Sequence, residues 1–549
     1  MENNYKKSSD IGGALRRILA LLWLDKEDIT AIYIYSIFAG LVSLSLPLGI
    51  QTIIGFVQAG SISTSIVVLI GLVLTGTFIS GFLQVKQLEL IEKIEQKLFV
   101  RYALEYTKRL PFLNIQKLDR AYLPELINRF FDVASLQKSL HKLLVDIPTA
   151  LIQILFGILL LSFYHPLFIA FGGLLMLIIF LIIRFSSNKG FQSSLETSDY
   201  KYKVAGWLEE MARGIKTFKY AKKTSLHMNK MDNLVTGYLG ARTTHFGVLK
   251  IQYWSLITFK LIIVGAMLVL GVILLVDQQI NIGQFVASDI VIIVILNSIE
   301  KLIGNMDQIY EALTSVEKLD KVAKAEIEVS GKEILEEVER GISVEMRNVE
   351  FGYSDEETQL QNFNMSVDSG EWLFLYGESG SGKTSVLRLL TGSFKHRKGE
   401  ILLDGLPIGN YSNKSIKKET GFLLGRQNIF EGTLLENLTL SDKEVSVSHV
   451  LKICQMTGLS EYIESKPTGL ETMLDPFGKS LSAKTRRQIL LVRAILTNHR
   501  LLLLEEPFRF LSESQLKETI AFLKALKTTV VVASADPGYE KFCDKKVNL

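Results

Sequence analysis

Hydrophobic positions along this chain fall into two regimes. Over the first 305 residues or so, apolar residues run almost unbroken in six stretches, near residues 30–52, 64–84, 143–163, 167–185, 253–276 and 284–304. Each is long enough to cross a bilayer, which takes about 20 residues of helix. From Val344 onward the apolar runs are short, and strand-like and helix-like segments alternate, the pattern of an α/β domain. Residues 11–27 carry an apolar face together with Arg16, Arg17 and Lys26, which predicts an interfacial helix ahead of the first span. Residues 305–345 are charged and predict further helix. The expected division is a polar N-terminus with its interfacial helix over 1–28, a membrane domain over 29–325, a linker over 326–343 and an α/β domain over 344–549.

Charge orients the spans. The long connections, near 86–142 and 186–250, are charged and helix-like, with 11 Lys and Arg in the first and about as many in the second. The short connections on the other side, 55–63, His165-Pro166 and 277–283, contain none. The positive-inside rule places both long segments, the N-terminus and the C-terminal half in the cytoplasm. Mean hydropathy is +0.26 and 48% of residues are hydrophobic, high for a soluble protein. A net charge of +4 over 549 residues gives no support to a general nucleic-acid role. The two cysteines, Cys454 and Cys543, lie far apart in the C-terminal half, which argues against a disulfide framework and suits a reducing cytosol. Residues 1–10 are polar and show no cleavable signal pattern.

The strongest chemical signal is Gly377-Glu378-Ser379-Gly380-Ser381-Gly382-Lys383-Thr384. It fits G-x-x-x-x-G-K-[ST], follows the apolar run 372–376 and precedes a helix-like run over 385–390. In a strand–loop–helix context the glycines let successive N–H groups face phosphate oxygens. The helix N-terminus adds its partial positive charge. Lys383 is then expected to reach the β- and γ-phosphates, and Thr384 to hold Mg²⁺.

Six spans, two long cytoplasmic loops and a phosphate-loop domain together resemble an ATP-binding-cassette exporter half-transporter over almost the whole chain. The implied fold is a multidomain membrane protein: an N-terminal all-α six-helix transmembrane domain and a C-terminal α/β nucleotide-binding domain of P-loop type. Motifs match one by one. Tyr353, 24 residues before Gly377, resembles the aromatic loop whose ring stacks on adenine. The run 501–507, Leu-Leu-Leu-Leu-Glu-Glu-Pro, resembles the Walker B strand, with Glu505 where the family has the Mg²⁺-holding aspartate and Glu506 at the catalytic carboxylate. Ile429-Phe430-Glu431-Gly432-Thr433-Leu434-Leu435-Glu436-Asn437-Leu438 closely resembles the exporter segment after the glutamine loop. The resemblance implies that residues 377–385, ending at Ser385, and Ser482 contact ATP, and that the chain is a translocase-type ATPase in the cytoplasmic (inner) membrane with its nucleotide domain in the cytoplasm. Segments near 119–124 and 218–226 fall where the family puts its coupling helices.

Four positions depart from the pattern. The glutamine expected to contact Mg²⁺ falls on Gly425, with Gln427 two residues late. The signature L-S-G-G-Q reads Leu481-Ser482-Ala483-Lys484-Thr485. The aspartate expected after Walker B is Ser512, and the switch histidine is Ala535. In this family two nucleotides lie between two cassettes arranged head to tail. The departures therefore imply the degenerate ATP-binding half of a heterodimer, or a divergent homodimer with slow hydrolysis. Leu46-Pro47-Leu48 and the loop pattern resemble the type I secretion and peptide-export subgroup, so peptide or protein is the first cargo expectation and lipid or small hydrophobic molecules the second. A nucleotide-gated regulatory membrane subunit stays open beside these, as does a periplasmic adaptor among the partners. Only about 30 residues precede the first span, so leader-peptide cleavage is not expected. Lys260 and Asp289 are the intramembrane charges that point to a pathway or a partner.

Overall fold

The computed structural model describes residues 11–58, 64–118, 123–336, 338, 340–354, 357–425 and 427–549. These fall into two compact units: 11–111 with 123–325, and 112–118 with 326–549.

Among the described residues the membrane unit has six helices apolar and long enough to span. Three run far past the bilayer: Thr64–Arg109, Leu167–Arg213 and Leu226–Val276 have 46, 47 and 51 residues. At about 1.5 Å per residue each is roughly 70 Å long, against a hydrocarbon core of about 30 Å. The long charged connections are thus mostly helical extensions. Half of the sixth span's apolar window is buried within the protomer, against 6% of the second's, so the sixth is the central helix. The first span is broken at Leu44 into Lys26–Ser43 and Ser45–Gln58. Pro47 sits in the first turn of the second piece, where its missing N–H is least costly.

Polar side chains tie these helices together. Gln87 donates to Ser36 Oγ at 2.9 Å. His245 joins three helices through Ser193 Oγ at 2.9 Å and Asp307 at 2.8 Å. Lys260 pairs with Glu300 of the sixth span, whereas Asp289 is exposed on the protomer surface. The helix Ile11–Trp23 buries Ala14 and Ile18 and leaves Leu19 and Trp23 exposed. Its Arg17 pairs with Glu317 and Asp320.

Two expectations need correction in detail. Helix does not continue through 305–345: it stops at Ala323. Beyond it the backbone is extended, because its amides find sheet-like partners, with Gly331 N donating to Tyr411 O and Glu333 N to Asn410 O, both at 3.0 Å. The short helix near 218–226 is Ile215–Tyr220, and residues after it form a turn. Most of the 119–124 segment lies outside the described residues.

Among the described residues the second unit holds three sheets. Strands β1 (Val344–Phe351), β2 (Leu360–Val367), β3 (Trp372–Tyr376), β4 (Lys398–Leu403), β5 (Leu406–Pro407), β6 (Thr420–Leu423), β7 (Gly432–Thr433), β8 (Met473–Leu474), β9 (Leu501–Glu505), β10 (Thr529–Ser534) and β11 (Lys545–Asn548) follow in chain order. An antiparallel sheet runs β2-β1-β4-β5, a five-stranded sheet runs β11-β3-β10-β9-β6, and β7 pairs with β8. Every pairing within the five-stranded sheet is parallel. Its central strands β3, β9 and β10 read as apolar runs because both faces are covered. Leu501, Leu503 and Val531 enter one core; Leu502, Leu504, Val530 and Val532 enter the other.

Parallel register brings three strand ends together. Tyr376 stands opposite Ser534, and Ala533 opposite Glu505. The loops leaving β3, β9 and β10 therefore open on one side, where open α/β sheets place ligand crevices.

Candidate nucleotide site

The loop after β3 is shaped by two glycines in the left-handed region, Gly380 at φ +91° and Gly382 at φ +109°. A side chain at either would strain the turn. Gly382 then caps the helix Lys383–Leu390. Lys383 is buried, and its ammonium donates to the carbonyls of Gly377 at 2.5 Å and Glu378 at 2.7 Å. Ser379 and Gly380 are exposed on the rim, and Ser381 Oγ is buried with no hydrogen-bond partner. That orphaned hydroxyl suits a loop built for an oxygen-rich ligand.

Thr384 Oγ1 donates to Glu505 Oε1 at 2.6 Å, and the other carboxylate oxygen, Oε2, accepts from Gly425 N at 2.6 Å. The hydroxyl and carboxylate are hard oxygen donors of the kind Mg²⁺ takes alongside phosphate oxygens. Among the described residues no three His, Cys, Asp or Glu side chains gather as a dedicated metal cage. The pair therefore fits a Mg²⁺ ion that arrives with phosphates.

Glu506 follows at φ +44°, a left-handed position for a non-glycine residue. Its backbone is held by Ala533 O at 2.8 Å, and its carboxylate accepts from Ser534 Oγ at 2.7 Å and Ala535 N at 2.8 Å. Arg487 Nε reaches Glu506 O at 3.4 Å. Burial lowers the Arg487 pKa, opposed by the Glu505 and Glu506 carboxylates. Burial raises that of Tyr539, reinforced by Asp536 and Glu506.

These groups line a cleft of about 760 Å³. Gly380, Gly382, Lys383, Thr384, Ser385, Glu505 and Glu506 all lie on its wall. Tyr353 does not line it. Its hydroxyl meets Ser385 Oγ at 3.0 Å, and its ring stands edge-on to Phe351 and Phe394 at 4.9 and 6.2 Å. Ser482 lies elsewhere, capping the helix Ala483–Ile495 by accepting from Thr485 N at 3.0 Å. Lys484, at a signature glycine position, pairs with exposed Glu461 at 3.2 Å. Gln427 Oε1 accepts from Leu424 N at 3.2 Å, within its own turn. Ser512 forms a capping box with Gln515.

Besides Gln359, three cleft residues escaped the sequence reading: Arg509, Asp536 and Tyr539. The first follows Glu506 by three residues, and the other two follow β10. Strand order brings them together, and no local motif announces it.

The ABC transporter family matches residues 360–509, and the ABC transporter transmembrane region matches residues 29–299. The transport/processing ATP-binding protein ComA of Streptococcus pneumoniae is 24% identical over 537 residues, spanning 96% of this chain and 74% of ComA. The α-hemolysin translocation ATP-binding protein HlyB of Escherichia coli O157:H7 is 25% identical over 334 residues, covering 60% of this chain and 47% of HlyB. The structure of a bacterial Atm1-family ABC exporter with ATP bound superposes with a TM-score of 0.86 at 17% identity, covering 95% of this chain and 93% of that one, so the two share a fold. A six-span membrane unit, a phosphate-loop cassette and both matches lead to one conclusion: this chain belongs to the ABC transporter family, as a multi-pass exporter half-transporter.

Proposed function

We propose that this chain is the slow, ATP-retaining half of a dimeric exporter in the cytoplasmic membrane, and that its cargo is a peptide or protein. One observation carries the first part. The groups this reading assigns to phosphate stand together, with Lys383 across the loop and Thr384 beside Glu505, while Gly425 and Ala535 donate only backbone N–H groups, to Glu505 and Glu506. ComA and HlyB, named for transport/processing and for translocation of a protein, support the second part.

Within this reading residues 377–385 cradle the phosphates, Lys383 neutralises β- and γ-oxygens, and Tyr353 offers its ring to adenine. Thr384 and Glu505 would hold Mg²⁺, which would supply Lewis-acid stabilisation of the charge that develops in phosphoryl transfer. Glu506 orients the attacking water. Its carboxylate is already held by Ser534 and Ala535, so its position does not depend on a histidine. Positioning and charge stabilisation carry nearly all of this chemistry. Loss of one preorganised donor costs about 10²–10³ in rate. Losing the switch histidine and the metal-contacting glutamine together leaves binding largely intact and turnover slow. A partner half with complete motifs would then supply the fast site, and Ser482 would face the partner's nucleotide.

Mg²⁺-ATP hydrolysis by the purified chain in nanodiscs, beside Lys383→Ala and Glu506→Gln, tests this. Slow or absent turnover with ATP binding that needs Lys383 is expected. Brisk turnover abolished by both substitutions would instead mark a self-sufficient homodimeric pump. Nucleotide-dependent control of a partner, with no turnover in the assembled pair at either site, would mark a regulatory subunit.

A further inference from the structure

The phosphate cleft contains a cation that the motif does not account for. Arg509 lines it together with Lys383, Glu506, Ala535, Asp536 and Tyr539. The residue before it, Phe508, is buried and packs against the Tyr539 ring at 5.5 Å, which anchors this loop in the core. Arg509 is exposed. Among the described residues its guanidinium makes no hydrogen bond or ion pair, and its one ring contact is to the neighbouring Phe510 at 5.6 Å. An arginine on a cleft wall with free donors invites an anion: five N–H groups in a planar fork match phosphate geometry.

Charge in the cleft points the same way. Glu505, Glu506 and Asp536 supply three carboxylates, and Lys383 and Arg509 the two cations. Against three carboxylates, a second protein cation favours entry of a nucleoside triphosphate. Lys383 belongs to the loop that cradles the phosphates. Arg509 shares the cleft wall with Glu506 and with Ala535, the position of the family's missing histidine. Ala535 offers only its backbone N–H, already committed to Glu506 at 2.8 Å.

We infer that Arg509 is a nucleotide-contacting residue that binds the terminal phosphate of a nucleoside triphosphate, giving this site triphosphate-over-diphosphate selectivity in place of the absent histidine. The inference rests on the proposed nucleotide-binding role of the cleft. It also fits durable retention: a charged fork at the terminal phosphate holds the ground state and leaves the attacking water to Glu506 alone.

The test is equilibrium binding of Mg²⁺–AMP-PNP and Mg²⁺–ADP to the full chain in nanodiscs, for the wild type, Arg509→Ala, Arg509→Lys and Lys383→Ala. A lost charge-assisted contact to phosphate corresponds to about tenfold or more in affinity. Arg509→Ala is expected to weaken AMP-PNP by about that factor and ADP by less than about twofold. Arg509→Lys should recover part of the loss, keeping the charge without the fork. Equal loss for both nucleotides, or none for either, overturns the inference. Lys383→Ala separates the two levels. If it abolishes binding of both nucleotides while Arg509→Ala shows no selectivity, only the role of Arg509 fails. If Lys383→Ala changes nothing, the nucleotide reading fails and takes this inference with it. Arg509 is exposed, so a thermal melt matching the wild type is expected to accompany its variants.

Discussion

Glu505 and Gly425 form a matched pair. The longer carboxylate reaches across to accept the Gly425 N–H at 2.6 Å while its other oxygen keeps Thr384 at 2.6 Å. A Cβ at position 425 would stand 3.0 Å from Glu505 Oε2 and 3.4 Å from its Cδ. The two positions where the resemblance implies an aspartate and a glutamine thus occupy the same few ångströms. Each makes room for the other.

The pair should behave non-additively. Gly425→Gln alone crowds the carboxylate, and Glu505→Asp alone surrenders the Gly425 bond; each should reduce Mg²⁺-ATP affinity. Combined, they restore the common arrangement, and the double variant should bind and hydrolyse better than either single one. Residues in contact couple by about 0.5–3 kcal/mol. A double-mutant cycle on Mg²⁺–AMP-PNP binding measures this, and strictly additive losses would break the pairing argument.

A second relationship joins the segment 112–118 to the cassette. Gln116 grips the Lys395 backbone from both sides, accepting from Lys395 N at 2.9 Å and donating to Lys395 O at 3.3 Å. The same segment joins the linker, with Asn114 N on Glu326 O at 2.9 Å and Glu328 N on Phe112 O at 2.8 Å. Lys395 follows Phe394, whose ring contacts Tyr353. Gln116→Ala should raise amide exchange in 112–118 and around 394–397 while leaving nucleotide affinity within about twofold, since exposed neutral hydrogen bonds are worth about 1 kcal/mol. Unchanged exchange in both segments would show that Gln116 does not hold this junction.

His499 supplies a pH dependence. Burial lowers its pKa below the ordinary 6.5, against a smaller opposing effect of the Lys418 carbonyl. The ring stands between Thr497 Oγ1 at 2.6 Å and Lys418 O at 3.2 Å, an arrangement that suits the neutral tautomer. The folded cassette binds a proton here less readily than the unfolded chain does. Its contribution to stability is therefore complete above pH 6.5 and lost as pH falls below it. Melting curves from pH 8 to 5 should show a low-pH decline that is shallower in His499→Gln. A decline of equal slope in both proteins would rule His499 out as its source.

Lys260 and Glu300 pair between the fifth and sixth spans. An unpaired charge at membrane depth is costly. Lys260→Met should lower the melting temperature of the detergent-solubilised chain, and the exchange Lys260→Glu with Glu300→Lys should recover much of the loss. The pair is partly exposed on the protomer, so the effect is expected to stay near 1 kcal/mol. If the charge exchange proves worse than the single change, the contact is not what holds these charges in place.

Much of this protein was legible in its residue order, and the reason is locality. Six apolar runs and their flanking charge report on the bilayer one segment at a time, and helices or apolar windows appear at all six. The phosphate loop is also local: strand, turn and helix N-terminus lie within about 20 residues, so spacing alone gives the geometry around Lys383 and Thr384. The end of the sixth helix at Ala323 was not legible, because a charged helix-like sequence was drawn into extended backbone by partners near Tyr411, some 80 positions away. The surroundings of Glu506 were settled the same way. Ser534 and Ala535 reach its carboxylate, and Asp536 and Tyr539 reach the cleft, only because β10 lies between β3 and β9. Residue order determined which groups the chain carries and which local shapes they adopt. Parallel strand pairing, a long-range event, decided that Arg509 and the loop after β10 share a cleft with Lys383, and that a long carboxylate at 505 meets a bare backbone at 425.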